Sequence, residues 1–141
     1  MTTYESDIKT IFSNEEVVFG ILSDLKNLEK LGNNPALTDK AKDLKFDSDS
    51  CSFSVEGFGK VGFRIVEREP FKTIKLDSEH APVKVNVWIQ LKEVDENKTA
   101  MKLTLKAELP TMIKMMVDKK LKEGINAIAD LLAKTLNGGI L

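Results

Sequence analysis

Residues 111–137, TMIKMMVDKKLKEGINAIADLLAKTLN, decide how the rest of the chain reads. Ile113, Met116, Val117, Leu121, Gly124, Ile125, Ile128, Leu131, Leu132 and Leu136 recur at three- and four-residue steps, the spacing of a helix with one apolar stripe. Lys114, Asp118, Lys122, Asn126, Asp130 and Lys134 fall on the opposite side. Leu109-Pro110 opens the segment, and Asn137-Gly138-Gly139 supplies its stop. At 1.5 Å per residue such a helix is roughly 40 Å long. A stripe of that length needs a matching apolar surface.

The surface is found upstream, where the period changes from helical to two. Met101, Leu103, Leu105, Ala107 and Leu109 alternate with polar residues, as do Val83, Val85, Val87, Ile89 and Leu91. Further back, Ile74, Leu76, Ser78 and His80 form one row, Val61, Phe63 and Ile65 another, and Cys51, Phe53 and Val55 a third, preceded by Leu44 and Phe46. Turn signals separate the rows: Ser48-Asp49-Ser50, Gly57-Phe58-Gly59, Glu69-Pro70, Ala81-Pro82 and Asp95-Glu96-Asn97. Strict alternation of this kind marks antiparallel strands with one buried and one wet face. At the start, Tyr4, Ser6, Ile8, Thr10 and Phe12 share one phase against Glu5, Asp7 and Lys9, which predicts a single half-buried strand. Ser13 stands three residues before Glu16, a capping-box spacing, and a helix or broken pair of helices then runs from Asn14 to about Leu31. Gly32-Asn33-Asn34-Pro35 ends it, and residues 36–43 read as a loop. The expected fold is α+β: a curved antiparallel sheet of six to seven strands wrapped around the long C-terminal helix, with two short helices after the first strand, residues 1–141 forming one domain.

Composition narrows the function classes. The 141 residues are 42% hydrophobic and 30% charged, ordinary globular values. With 21 basic and 22 acidic residues the net charge is −1, which gives no chain-wide steering toward nucleic acid or an anionic membrane. No apolar run approaches a membrane span, so no membrane insertion is expected. The start of the chain carries Glu5, Asp7 and Lys9 and lacks a secretion-signal core, and the single Cys51 gives no disulfide framework; a soluble cytoplasmic protein is the simplest expectation.

The element order resembles that of the helix-grip proteins of the START and Bet v 1 type, the broad SRPBCC superfamily that includes polyketide cyclase-like proteins. The resemblance rests on Ser13-Asn14-Glu15-Glu16-Val17-Val18-Phe19 leading to Leu22-Ser23-Asp24-Leu25, and on Leu109-Pro110 before the last helix. It covers nearly the whole chain. It implies a cavity between sheet and terminal helix that holds an apolar or aromatic ligand, lipids included. The Cys-x-His and paired His-Cys segments of the Rieske oxygenase relatives are missing, and no residue set carries cyclase chemistry over.

The residues expected to line a cavity are Phe53, Val55, Phe63, Ile65, Ile74, Leu76, Val87, Ile89, Met101, Leu103, Leu105, Met112, Met116, Leu121 and Ile125, with Tyr4, Ser78 and His80 as polar orienting groups. Met112, Met115 and Met116 suit contents that vary, because thioethers repack easily; ordinary core filling is the plainer explanation. His80 is the sole histidine and fits either a cavity rim or a solvated bend. Gly124 sits mid-helix, where a strand or ligand comes close or the helix bends. Trp88 is out of phase with its buried row and faces the outer side, as a partner anchor or under the stems of Lys84, Lys92 or Lys102. Glu67 falls in phase with Ile65 as a polar strand tip or a solvated carboxylate.

Gly57-Phe58-Gly59-Lys60 lacks the spacing of a phosphate loop, and Asp47 and Asp49 lack the partners of a calcium loop. Cys51 reads as a small buried hydrophobe. One histidine, one cysteine and dispersed carboxylates point to no metal, no cofactor and no catalytic residue. The leading expectation is a binding module for a small hydrophobic or aromatic molecule. The alternatives are a cyclase- or dehydratase-like enzyme using His80 or Tyr4, and an interaction protein with a filled core acting through Trp88. The rows leave oligomeric state open.

Overall fold

The computed structural model describes residues 1–35, 41–55 and 59–138. The chain forms β1 (Thr2–Glu5), β2 (Lys9–Ile11), α1 (Glu15–Leu22), a 3₁₀ helix (Leu25–Asn33), β3 (Lys42–Phe46), β4 (Ser50–Val55), β5 (Gly59–Glu69), β6 (Thr73–Glu79), β7 (Val85–Asp95), β8 (Lys98–Ala107) and α2 (Thr111–Gly138). The strands make one antiparallel sheet in the order β1-β8-β7-β6-β5-β4-β3, with β2 also pairing β8. Sheet architecture and terminal helix follow the sequence reading. The Gly57-Phe58 turn, most of the 36–43 loop and Gly139 of the helix stop lie outside the described residues.

The eighth strand arises because the expected Tyr4–Phe12 strand is broken. Tyr4 stands opposite Leu105, whereas Lys9 stands opposite Met101, so one extra residue enters the ladder between them. Ser6 makes the break: its N–H donates to Leu103 O, but Leu103 N–H donates to the Ser6 hydroxyl instead of to a main-chain carbonyl. A one-residue slip turns every following side chain to the other face. Ile11 becomes fully buried, while Ile8 and Phe12, expected on the inner row, are 68% and 64% exposed.

Two smaller corrections have the same kind of cause. The α1 N-cap is Asn14, whose side chain accepts from Val17 N–H, and not Ser13 of a capping box. Ser13 O instead accepts from the fully buried Thr99 hydroxyl, which pins the chain just before the helix. In β5 the register shifts between Ile65 and Glu67, so Glu67 leaves the inner phase and is exposed.

The core centres on β6, β7 and β8, where Ile74, Leu76, Ile89, Leu91, Met101 and Leu103 are buried with Val18 and Leu22 of α1. Arg68 binds Ser23 O through two guanidinium nitrogens and Asp49 through one, locking the short helices to the β3–β4 turn.

Candidate ligand-binding surface

The inner face is continuous across the sheet. Cys51 stands opposite Phe63, Phe63 opposite Ser78, and Phe53 opposite Val61. Next to them, Ile65, Leu76, Val87, Leu105 and Tyr4 follow one another across four strand pairs, and Ile74, Ile89 and Leu103 form the neighbouring row. Ile65, Ile74, Leu76, Ile89, Met101 and Leu103 are buried, whereas Cys51, Phe53, Val55, Val61, Phe63, Val87 and Leu105 are only half-buried. Phe53 and Phe63 stack with ring centroids 6.2 Å apart.

Helix α2 lies over β8, β1 and β2. Its polar anchors run in step with the first strands. Tyr4 OH donates to Asp118 at 2.6 Å, Asp7 N–H to Asn126 Oδ1 at 2.9 Å, and Phe12 N–H to Asn137 Oδ1 at 2.8 Å; Lys9 pairs with Asp130 at 3.7 Å. At 100° per residue these four helix positions fall within roughly one-third of a turn. That flank holds the β1–β2 edge. The same arithmetic puts Ile113, Leu121, Gly124, Ile128 and Leu131 on the flank away from these anchors.

This second flank has room beside it. A Cβ built on Gly124 would meet nothing within 4 Å, so no strand approaches it closely. Ile128, one turn on, is 44% exposed. Ala129 on the packed side is fully buried, as expected where a small side chain lets helix and sheet come together. Leu121 is half-buried and Ile125 buried. Met112, Met115 and Met116 do not join the strip: they are 79%, 81% and 72% exposed, on the side of the helix away from Val117, Leu121 and Ile125.

The three polar groups expected to orient a ligand are scattered. Tyr4 is buried, its hydroxyl committed to Asp118, and its phenol is pushed up to about 12 by burial first and by the neighbouring carboxylate second. Asp118 is held below the ordinary carboxylate range, chiefly by the Tyr4 hydrogen bond and also by Lys122. Ser78 accepts from Val85 N–H at 2.9 Å. His80 is exposed, with a left-handed backbone (φ 55°), outside the strip. The Cys51 thiol is pushed up to about 11 by burial, so it stays protonated near neutrality. Among the described residues no three His, Cys, Asp or Glu side chains converge on a metal-sized space.

Two depressions stand out, one between β2 and the anchored flank of α2 and the other at the β3–β5 end of the sheet. An open one of about 430 Å³ is bordered by Lys9, Lys122, Asn126 and Asp130; one of about 190 Å³ lies against Lys45, Ser52, Phe53 and Lys60. On the outer face Trp88 is half-buried between the ammonium groups of Lys75 and Lys106, each 5.4 Å from its ring. These lysines come from the adjoining strands, in place of the expected Lys84, Lys92 and Lys102.

Sequence reading missed the anchoring flank. Asp118, Asn126 and Asp130 look solvated because helical spacing alone puts them opposite the apolar stripe. Their spacing in multiples of four was a signal, but their partners outside the helix come from the broken first strand.

Solved structures match this architecture along its whole length. The Aha1 dimer from Colwellia psychrerythraea matches at TM-score 0.65 and 19% identity, covering 97% of each chain. The chain has the helix-grip fold. Norcoclaurine synthase from Thalictrum flavum matches at TM-score 0.71 and 12% identity, over 96% of this chain and 87% of that one. A START superfamily protein from Mycobacterium smegmatis matches at TM-score 0.61 and 13% identity, over 96% and 97%. No family model matches the sequence, and no curated protein does. No helix among the described residues of this helix-grip chain is long and apolar enough to cross a membrane.

Proposed function

We propose that the protein, acting as one helix-grip domain, binds a small hydrophobic or aromatic molecule on the concave strip between Phe53, Val61 and Phe63 of the sheet and Leu121, Gly124 and Ile128 of α2. The observation that carries this reading is the open space at Gly124. A helix-interior glycine costs about 1 kcal/mol relative to alanine, and no packing neighbour requires one here. On the inner face of β4 and β5 the aromatic side chains of Phe53 and Phe63 remain half-buried. An apolar ligand laid there would remove both surfaces from water, at about 25 cal/mol per Å².

Val55, Ile65, Leu76, Val87, Leu105 and Ile125 extend the floor and wall, while Ile74, Ile89, Met101 and Leu103 support them from the core. The fold supports the reading in one further way: norcoclaurine synthase was solved in complex with dopamine and hydroxybenzaldehyde. Binding is favoured over catalysis because Tyr4 is committed to Asp118, Ser78 to the Val85 N–H, and His80 stands exposed on a bend apart from both. A reducing cytoplasm suits the one protonated thiol.

Native mass spectrometry of the protein isolated from its own cells should detect a noncovalent adduct of a few hundred daltons, released by mild organic extraction. Protein that carries no adduct and leaves the fluorescence of an apolar dye unchanged at micromolar concentration contradicts the proposal.

A further inference from the structure

The first two turns of α2 present apolar side chains that neither the core nor the concave strip uses. Met115 and Met116 lie one helical turn beyond Met112, and the three are the most exposed large hydrophobics of the helix, at 79%, 81% and 72%. Exposure at that level in three neighbours is unusual, since contiguous apolar patches on a protein surface mark interaction sites.

Their surroundings are basic. Lys114, Lys119, Lys120 and Lys122 lie within the same three turns, and counting Asp118 and Glu123 against them leaves +2 over residues 111–123. The chain as a whole carries −1, so its average conceals a locally basic segment, of which Lys119, Lys120 and Lys122 lie nearest the methionines around the helix. Lys119 and Lys122 are paired along the helix to Glu123 and Asp118 at 3.9 and 3.4 Å, both at exposed positions where such pairs are weak. Lys114 and Lys120 have no ion pair within 4 Å among the described residues.

We propose that the N-terminal end of α2 docks on an anionic lipid surface, with Met112, Met115 and Met116 entering the headgroup boundary and the flanking lysines contacting lipid phosphates. Three features select this occupant. The patch is convex, on the far side of a helix from its core, so it enters a soft phase more readily than it forms a complementary groove for a protein. Unbranched thioethers adapt to a disordered partner. The positive charge complements an anionic leaflet, where each lysine near the surface strengthens binding about fivefold. The contact is peripheral and independent of any molecule on the concave strip.

The test is vesicle flotation of the full chain with phosphatidylcholine alone and with phosphatidylcholine containing phosphatidylserine. The wild type should float with the anionic vesicles, only weakly with the neutral ones, and less as salt rises. Met112→Ser/Met115→Ser/Met116→Ser should cut binding at least tenfold while leaving the far-ultraviolet circular dichroism unchanged, because all three side chains are already in water. Lys119→Glu/Lys120→Glu should cut binding to anionic vesicles selectively. No flotation with anionic vesicles, or flotation that neither variant weakens, overturns the proposal. So does lipid-independent self-association that the serine variant abolishes, because it would give the patch to a second copy of the chain.

Discussion

The two ends of the sheet carry the same inner-face alternation and meet different fates. At the β1–β2–β8 end, Ile11, Met101 and Thr99 are fully buried beneath α2 and α1. At the β4–β5 end, Phe53, Val61 and Phe63 are only half-buried. Alternation assigns a side chain to a face; the element laid over that face determines whether water reaches it. Here α2 is tied down by four side-chain anchors along one flank, so it covers one end and leaves the other available. The core and the proposed binding strip are then two halves of a single surface.

The contrast can be broken most forcefully at Met101 and Phe63. Met101→Ala should cost about 2–5 kcal/mol in denaturant unfolding, in the range of fully buried methionines and leucines. Phe63→Ala should cost roughly half of what a buried phenylalanine does, about 2 kcal/mol. Equal losses at the two positions would mean that the β4–β5 end is packed as tightly as the other.

Helix α2 offers a second test within one element. Ala129→Leu forces a large side chain into a fully buried position and should cost about 1–3 kcal/mol. Tyr4→Phe should cost about 1–2 kcal/mol by removing a hydrogen bond to a charged partner. The variant also carries a pH signature. Because the Tyr4 phenol is raised from 10.0 to about 12 in the fold, its contribution is complete below 10 and is lost as pH rises toward 12. Asp118 is depressed, so its contribution holds above the ordinary carboxylate range and fades as pH falls through the lowered value. Stability–pH profiles of wild type and Tyr4→Phe should converge above pH 12, and the variant should show a shallower acid limb. Smallest of all, Gly124→Ala should stabilise by about 0.5–1 kcal/mol, since it gains helix propensity and meets no neighbour.

Much of this was legible in the chain. The long apolar stripe after Pro110 and the clean rows of β7 and β8 give the helix and sheet, because both periods are uninterrupted there. The first strand was misread because Ser6 lets a hydroxyl replace a carbonyl in the ladder, a substitution that periodicity cannot reveal. The methionines of α2 read as interior because apolar identity and helical spacing say nothing about how far a helix overhangs its sheet. The inner phase of Phe53 and Phe63 and the apolar stripe of Leu121 and Ile125 follow from periodicity alone; the open space at Gly124 required knowing which side of α2 the first strands hold.

The most direct measurement is an apolar dye titration on wild type and Gly124→Leu, with thermal unfolding measured in parallel. Leucine is a good helix former and would enter the open space beside α2. The variant should unfold at or above the wild-type temperature yet bind dye at least tenfold more weakly. Unchanged dye affinity in a fully folded Gly124→Leu protein would contradict a binding strip on the concave side of α2.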